Sequence, residues 1–361
     1  MSRRDHSTLF FMGRPLSPLY SAAMMLRALL YQKNILVSQR LEVPVISVGN
    51  LSMGGTGKTP MVIYLGRFLA DRGFRPAVVS RGYHGKAKGP VNIVSDGDSL
   101  LMQSQEAGDE PVLISSRLPG TVVATGRKRY QVGAEVIRAY DCNLMIMDDG
   151  FQHLGLARDI DLVLFDADHF AGNSRVFPGG ELREPVSALH RCDAFIITGV
   201  TEHNFERAGK CEDLLKERFA GKPIFKVSPT YSKIYRYDIS PSSINKSVVV
   251  QSDIPECLFA FSGIAQADRF YKMAEQQGIT LAGRKSFRDH HLYGADDVMN
   301  LTHLATQAGA EGFLSTEKDI VKFSETHHCR FPIYVPLLDY ARNASLESFI
   351  INNLNEISSS L

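Results

Sequence analysis

Between residues 43 and 199, short apolar runs alternate with stretches of helical period. The runs 43–49, 76–80, 91–94, 111–115, 121–125, 143–147, 161–165 and 193–199 are rich in Val, Ile and Leu and read as buried strands. Residues 58–73 carry a helical pattern closed by Gly73, and 126–139 carry another. Strands alternating with helices predict a mostly parallel sheet covered on both faces. A helix over 203–218 follows. Residues 221–247 then hold three prolines and six serines without a helical period, and read as extended linker strands. Apolar runs at 257–264, 310–316 and 331–337, with a helix to about residue 277 and a last helix, predict a second, smaller α/β unit. The expected layout is an N-terminal helix (1–35), a large sheet domain (36–221), a linker or hinge (222–250) and the smaller domain (251–361).

The apolar stretch 15–31 (PLSPLYSAAMMLRALLY) has a different character. Arg27 interrupts it, and it is shorter than the roughly 20 apolar residues that a bilayer span needs. No small-residue cleavage site follows it, so it does not read as a signal peptide. Coiled as a helix, it gathers Leu19, Met25, Leu26, Leu29 and Leu30 into an apolar face. Six basic residues precede position 43 (Arg3, Arg4, Arg14, Arg27, Lys33, Arg40), against Asp5 and Glu42. Such a helix either packs on the protein's own core or lies in a membrane surface.

Composition narrows the classes. With 44% hydrophobic and 22% charged residues the chain is ordinary for a globular protein, and its 361 residues suffice for two cores. A net charge of +1 supplies no global field for nucleic acid. Five scattered cysteines, none in a C-x-x-C, argue against a disulfide framework and against a zinc site.

The chemistry concentrates after the first strand, in S-M-G-G-T-G-K-T (52–59). The common phosphate loop is G-x-x-x-x-G-K-[ST]; Ser52 stands where its first glycine would be. Ser52, Met53, Gly54, Gly55, Thr56, Gly57, Lys58 and Thr59 are therefore the expected nucleotide-binding residues. Glycines let the backbone aim N–H groups at phosphate oxygens, and the following helix adds its positive end. Lys58 suits the β- and γ-phosphates, and the Thr59 hydroxyl suits Mg²⁺. A strand before and a helix after supply the context of a P-loop NTPase-type α/β fold. No N-K-x-D guanine signature follows, which favours ATP over GTP. Met53 stands where partitioning-type ATPases carry an early second lysine, which counts against a dimerising switch without a lipid acceptor.

Acids complete the picture. The run 143–147 ends in Asp148-Asp149, at the carboxyl end of a strand, where Mg²⁺ or its waters are held. Asp109 and Glu110 precede another apolar run; one could take a substrate proton while the other fixes a metal, or both could be a plain acidic loop. His290 and His291 follow Asp289, and either could relay a proton with a carboxylate.

The motifs G-N-L-S-M-G-G-T-G-K-T-P (49–60), S-R-G-Y (80–83), G-D-E-P (108–111), D-D-G-F-Q-H (148–153), L-R-E-P (182–185), F-R-D-H-H (287–291) and S-T-E-K-D (315–319) occur in this order. As an ordered set they resemble the tetraacyldisaccharide 4′-kinase family of lipid A biosynthesis. The resemblance runs from about residue 14 past residue 320. It implies that ATP donates its γ-phosphoryl to the 4′-hydroxyl of a tetraacylated disaccharide 1-phosphate. It implies that Thr59 and Glu110 hold Mg²⁺, that Asp109 is the base, and that His290 rather than His291 is its partner. It sets Asp148 and Asp149 beside metal and phosphates. Arg81, Gln152, His153 and Arg183 become candidates for binding the substrate. The same resemblance favours the membrane reading of the N-terminal helix, with the protein peripheral on the cytoplasmic face of the inner membrane. No obligate protein partner is evident in the sequence.

Overall fold

The structure, a computed structural model, describes residues 10–240, 243–324 and 327–360. The first lobe is built on an eight-stranded sheet: β1 (Val45–Asn50), β2 (Pro76–Ser80), β3 (Asn92–Ser95), β4 (Val122–Thr125), β5 (Leu144–Asp148), β6 (Ile160–Asp166), β7 (Ala194–Thr198) and β8 (Ile224–Lys226). Their order is β3-β4-β2-β5-β1-β6-β7-β8. Neighbours run parallel except β3, which lies antiparallel to β4. Every residue of β1, β5 and β6 is buried. Strands covered on both faces need apolar side chains at successive positions, which is why these runs do not alternate with polar residues.

Among the described residues, eight helices of eight or more residues surround the sheets: α1 (Ser17–Gln32), α2 (Lys58–Ala70), α3 (Asp109–Arg117), α4 (Arg129–Tyr140), α5 (Phe205–Arg218), α6 (Ala267–Gln276), α7 (Ala295–Gln307) and α8 (Ala344–Ser360). On one face of the first sheet, Met61 and Leu65 of α2 and Val112 and Ile114 of α3 pack against Ile46, Val48 and Ile146. On the other, Val132 and Val136 of α4 cover Val45, Met145 and Met147. The second lobe is a six-stranded sheet of β9 (Pro229–Ser240), β10 (Ser243–Val249), β11 (Cys257–Ser262), β12 (Thr280–Ser286), β13 (Gly312–Leu314) and β14 (Ile333–Tyr340). Its order is β10-β9-β14-β13-β11-β12. The mostly parallel sheet with flanking helices and the second, smaller α/β unit are as expected.

Three expectations are corrected. The run 111–115, expected as a strand, is the body of helix α3. A short apolar run does not distinguish a strand from a buried helix. The first-turn acids Asp109 and Glu110 and Pro111 just after them are the helix-start signal that decides it. The stretch 222–250 is extended but is no linker: β8 ends the first sheet, and β9 pairs antiparallel with both β10 and β14 inside the second. Proline and serine suit an edge hairpin as well as a linker. The last helix, expected in the smaller domain, returns to the first, where Leu346, Ile350 and Leu354 join the core beneath α2 and α3. Strand β12 and helix α7 escaped the sequence reading. β12 is a half-exposed edge strand with the polar run Gly283-Arg284-Lys285-Ser286, which carries little apolar signal.

Candidate active site

The glycine loop runs from the end of β1 into α2. Gly57 caps the helix with φ +76°, and a Cβ there would sit 2.0 Å from Tyr340 Oη. Only glycine meets both conditions. The loop carbonyls are tied outward: Gly55 O accepts from Gln266 Nε2 at 3.2 Å, Thr56 O from Thr198 Oγ1 at 2.9 Å, and Gly57 O from Tyr340 Oη at 3.2 Å. Among the described residues the amides of Gly54, Gly55, Thr56 and Gly57 donate to no acceptor. Anchored carbonyls and free amides at a helix N-terminus make an anion cradle. Ser52 and Met53 bind the loop base to the 181–182 segment, Met53 N donating to Glu181 O at 2.7 Å.

Parallel pairing of β1 with β5, Val48 opposite Asp148, brings the acidic pair beside this cradle. Lys58 Nζ lies 3.1 Å from Asn50 Oδ1 and 3.4 Å from Asp149 Oδ1. Arg183 grips both Asp149 oxygens at 2.9 and 2.7 Å. Burial works to raise the Asp149 carboxyl, but Lys58 and Arg183 outweigh it and hold it at about 2. For Asp148 the balance reverses: burial, then Glu110 and Asp149, push it up to about 7, against the Lys58 charge and one bond from Ser80 Oγ at 3.2 Å. Two adjacent carboxylates are thus driven apart in acidity, the signature of a functional pair.

The second cluster crosses between lobes. Asp109 and Glu110 open α3, with Gly108 at φ +93° as the N-cap. His290 occupies a left-handed turn, φ 60°, and its Nδ1 lies 3.0 and 2.9 Å from the two Asp109 oxygens. Burial raises the Asp109 carboxyl, yet the His290 bond, Lys318 and Lys322 prevail and keep it below its ordinary value. His290 Nε2 faces Lys318 Nζ at 3.3 Å, so an Nδ1–H toward Asp109 leaves Nε2 free to accept from the ammonium. Lys318 also reaches Glu110 Oε1 at 3.2 Å. His291 is turned away, bonded to Asp297 at 2.9 Å and stacked on Phe287. A cavity of about 140 Å³ opens over Asp109, His290 and Lys322, with His84 and Ser104 on its wall.

Gln152 and Arg183 meet at this site: Gln152 Nε2 donates to Asn50 O at 3.0 Å, and Arg183 Nη1 approaches Gln152 Oε1 at 3.4 Å. His153 is half-buried, and burial with the charges of Arg129, Arg158, Arg27 and Arg81 lowers it to about 4, so it is neutral. Arg81 itself is exposed. Helix α1 adjoins the same residues: Tyr20 Oη donates to Arg183 O at 3.2 Å and Arg27 Nη1 to Gln152 O at 3.1 Å. Its half-buried face is Ser17, Tyr20, Ser21, Met24, Arg27, Ala28 and Tyr31. Leu19, Met25, Leu26 and Leu29 point away from the body, with Leu19 72% and Leu26 56% exposed. Leu30, expected on that face, is half-buried.

The sequence reading missed Asn50, Ser80, Arg129, Lys318 and Lys322. Asn50, Ser80 and Lys318 lie inside the quoted motifs, whereas Lys322 lies in the turn just beyond the last of them. Arg129 is 4% exposed with its Nε unpartnered, a feature invisible without the fold.

The residues suit Mg²⁺. Asp148 Oδ1 is buried without a partner, the neighbouring donors are oxygens, and Glu110 lies close enough to raise Asp148. Among the described residues no three His, Cys, Asp or Glu side chains converge. Mg²⁺ ordinarily takes one or two carboxylates, with water and phosphate oxygens completing its shell.

The profile of the family described as Tetraacyldisaccharide-1-P 4'-kinase matches residues 9–355. A tetraacyldisaccharide 4'-kinase of Desulfotalea psychrophila is 43% identical over 92% of this chain and 93% of its own. One from Syntrophus aciditrophicus is 39% identical over 91% and 88%. Among solved structures, the "apo" form of LpxK from Aquifex aeolicus in complex with ATP is similar, with a TM-score of 0.74 and 31% identity over 97% of this chain and 99% of that one. With the family model matching residues 9–355 and relatives above 30% identical over most of both chains, the chain belongs to the tetraacyldisaccharide-1-P 4'-kinase family and is a kinase of that kind.

Proposed function

We propose that this kinase transfers the γ-phosphoryl group of ATP directly to the 4′-hydroxyl of a tetraacylated glucosamine disaccharide 1-phosphate, giving the 4′-phosphorylated lipid A precursor. The observation that carries the reading is the bond between Asp109 of one lobe and His290 of the other, in the cleft that also holds the glycine loop. Asp109, kept ionised, accepts the hydroxyl proton as the oxygen attacks phosphorus, and His290 orients it. Lys58 and the amides of Gly54–Gly57 hold the phosphates against developing charge. Mg²⁺, held by Thr59 and Glu110 with Asp148 and Asp149 beside it, would neutralise the phosphate oxygens when bound. The basic group of Arg27, Arg81 and Arg129 around His153, with Gln152 and Arg183, suits the acceptor's own phosphate. The exposed apolar face of α1 suits the acyl chains and the cytoplasmic leaflet of the inner membrane. Among the described residues no helix is long and apolar enough to cross a membrane, so the docking is peripheral in this reading. Opening and closing of the lobes about the crossings at 227–228 and 341–343 belongs to the same proposal.

The test is incubation of purified protein with γ-labelled ATP, Mg²⁺ and the disaccharide 1-phosphate in mixed micelles. Label is expected at the 4′ position. Binding of ATP and Mg²⁺ with no label on the glycolipid, at any protein concentration, sinks the reading.

A further inference from the structure

The S-T-E-K-D stretch ends in a carboxylate with no solvent contact. Asp319 is 0% exposed. Its oxygens accept from Gly263 N at 3.0 and 3.1 Å, Tyr293 Oη at 2.9 Å and Thr316 Oγ1 at 2.7 Å. The remaining partner is Lys322 Nζ at 3.1 Å, whose side chain is 1% exposed. Beyond Asp319, the same ammonium faces Asp109 Oδ2 at 3.8 Å. A buried ion pair is a poor device for stability, because well-packed apolar side chains serve a core at least as well. This one is placed directly behind the carboxylate that takes the substrate proton.

His290 Nδ1 lies almost equally far from both Asp109 oxygens, so by itself it leaves the carboxylate free to rock about the Cβ–Cγ axis. Two further contacts remove that freedom: Glu110 N donates to Oδ1 at 3.1 Å, and the Lys322 charge sits on the Oδ2 side. Because Asp319 fixes Lys322 through a saturated set of bonds, the ammonium acts as a rigid point charge.

We propose that Lys322 is a positioning residue for phosphoryl transfer: anchored by Asp319, its buried ammonium holds the Asp109 carboxylate in register with His290. Lys322 touches no substrate in this proposal and acts wholly through Asp109. The proposal rests on the reading of Asp109 as the base, since a base is sensitive to misplacement by a fraction of an ångström.

The experiment compares wild type, Lys322→Met, Lys322→Arg and Asp109→Asn as full-length proteins, with ATP, Mg²⁺ and the disaccharide 1-phosphate in micelles. Lys322→Met is expected to lower kcat at least tenfold, with KM for ATP and nucleotide affinity within threefold of wild type. Lys322→Arg recovers most of that loss. Added to Asp109→Asn, Lys322→Met changes the single-turnover rate less than twofold, because the group it positions has already gone. A folded Lys322→Met with kcat within twofold of wild type overturns the proposal. So does a double variant whose losses multiply, or a loss equally large in nucleotide affinity. Should Lys322→Met not fold, Lys322→Gln, which still bonds Asp319, carries the same expectations and the same refutations. Full activity in Asp109→Asn would instead overturn the base assignment, which separates the two failures.

Discussion

The glycine-loop cluster and the Asp109–His290 cluster share one cleft but are assembled in opposite ways. Asn50, Lys58, Asp148 and Asp149 come from the ends of two adjacent parallel strands and the turns that follow them. Their meeting is set within the first lobe by the β1–β5 pairing. Asp109 and His290 are 181 residues apart and meet only when the second lobe docks. Ion pairs cross between the lobes: Arg117, at the far end of α3 from Asp109, reaches Glu317 at 2.6 Å and Asp339 at 2.6 Å, and Arg269 crosses to Asp166 at 2.5 Å. The groups that grip the nucleotide thus come from one lobe, with Gln266 and Tyr340 of the second bracing the loop carbonyls, whereas proton removal draws a residue from each lobe. The two functions are expected to fail separately.

The largest effect tests that separation. Asp109→Ala is expected to lower kcat on the order of 10³-fold, the scale of a lost general base, with nucleotide affinity within threefold by calorimetry. Lys58→Ala is expected to weaken rate and nucleotide affinity together. Equal damage to affinity in both variants would break the distinction between the clusters.

A smaller effect concerns the outer face of α1. Leu19→Glu with Leu26→Glu adds charge to exposed positions, so folding is untouched. Vesicle flotation is expected to drop sharply and activity on the glycolipid to fall about tenfold, with ATP affinity unchanged. Unaltered flotation would assign this face to something other than lipid.

The smallest effect is a slope. In the folded protein Asp148 is raised to about 7, above the ordinary carboxylate value. Between about pH 4 and 7 the native chain keeps a proton that the unfolded chain has shed, so stability falls as pH rises through that window. The cost is absent below pH 4 and complete above pH 7. Asp148→Asn removes it. Without nucleotide, its melting temperature relative to wild type should climb by on the order of a few degrees from pH 4 to pH 7 and then level off. A difference that stays flat across that range would contradict the buried placement of Asp148 beside Glu110 and Asp149.

Much of the first cluster was legible because its chemistry is contiguous. Strand, glycines, lysine and threonine follow one another, and Asp148-Asp149 ends an apolar run, so local pattern sufficed to nominate them. The 111–115 run shows the limit: its apolar content fixed burial, but only the acids before it fixed helix over strand. The linker expected at 222–250 failed for a related reason, since extended chain looks alike in sequence whether or not a neighbouring strand is there to pair with it. Arg129 and Lys322 went unremarked because a basic residue in sequence carries no sign of being buried.

The sequence alone determined the alternation of strands and helices around the glycine loop, the phosphate cradle with its lysine, the acids available to the chemistry and, through ordered motifs, the family. Each is written in neighbouring residues or in a period. Only the tertiary structure decided that Lys318 and Lys322 stand behind the site, that the last helix returns to the first core, and that the apolar face of α1 looks outward. These are outcomes of docking two lobes, set by contacts between residues far apart in the chain that no local pattern records.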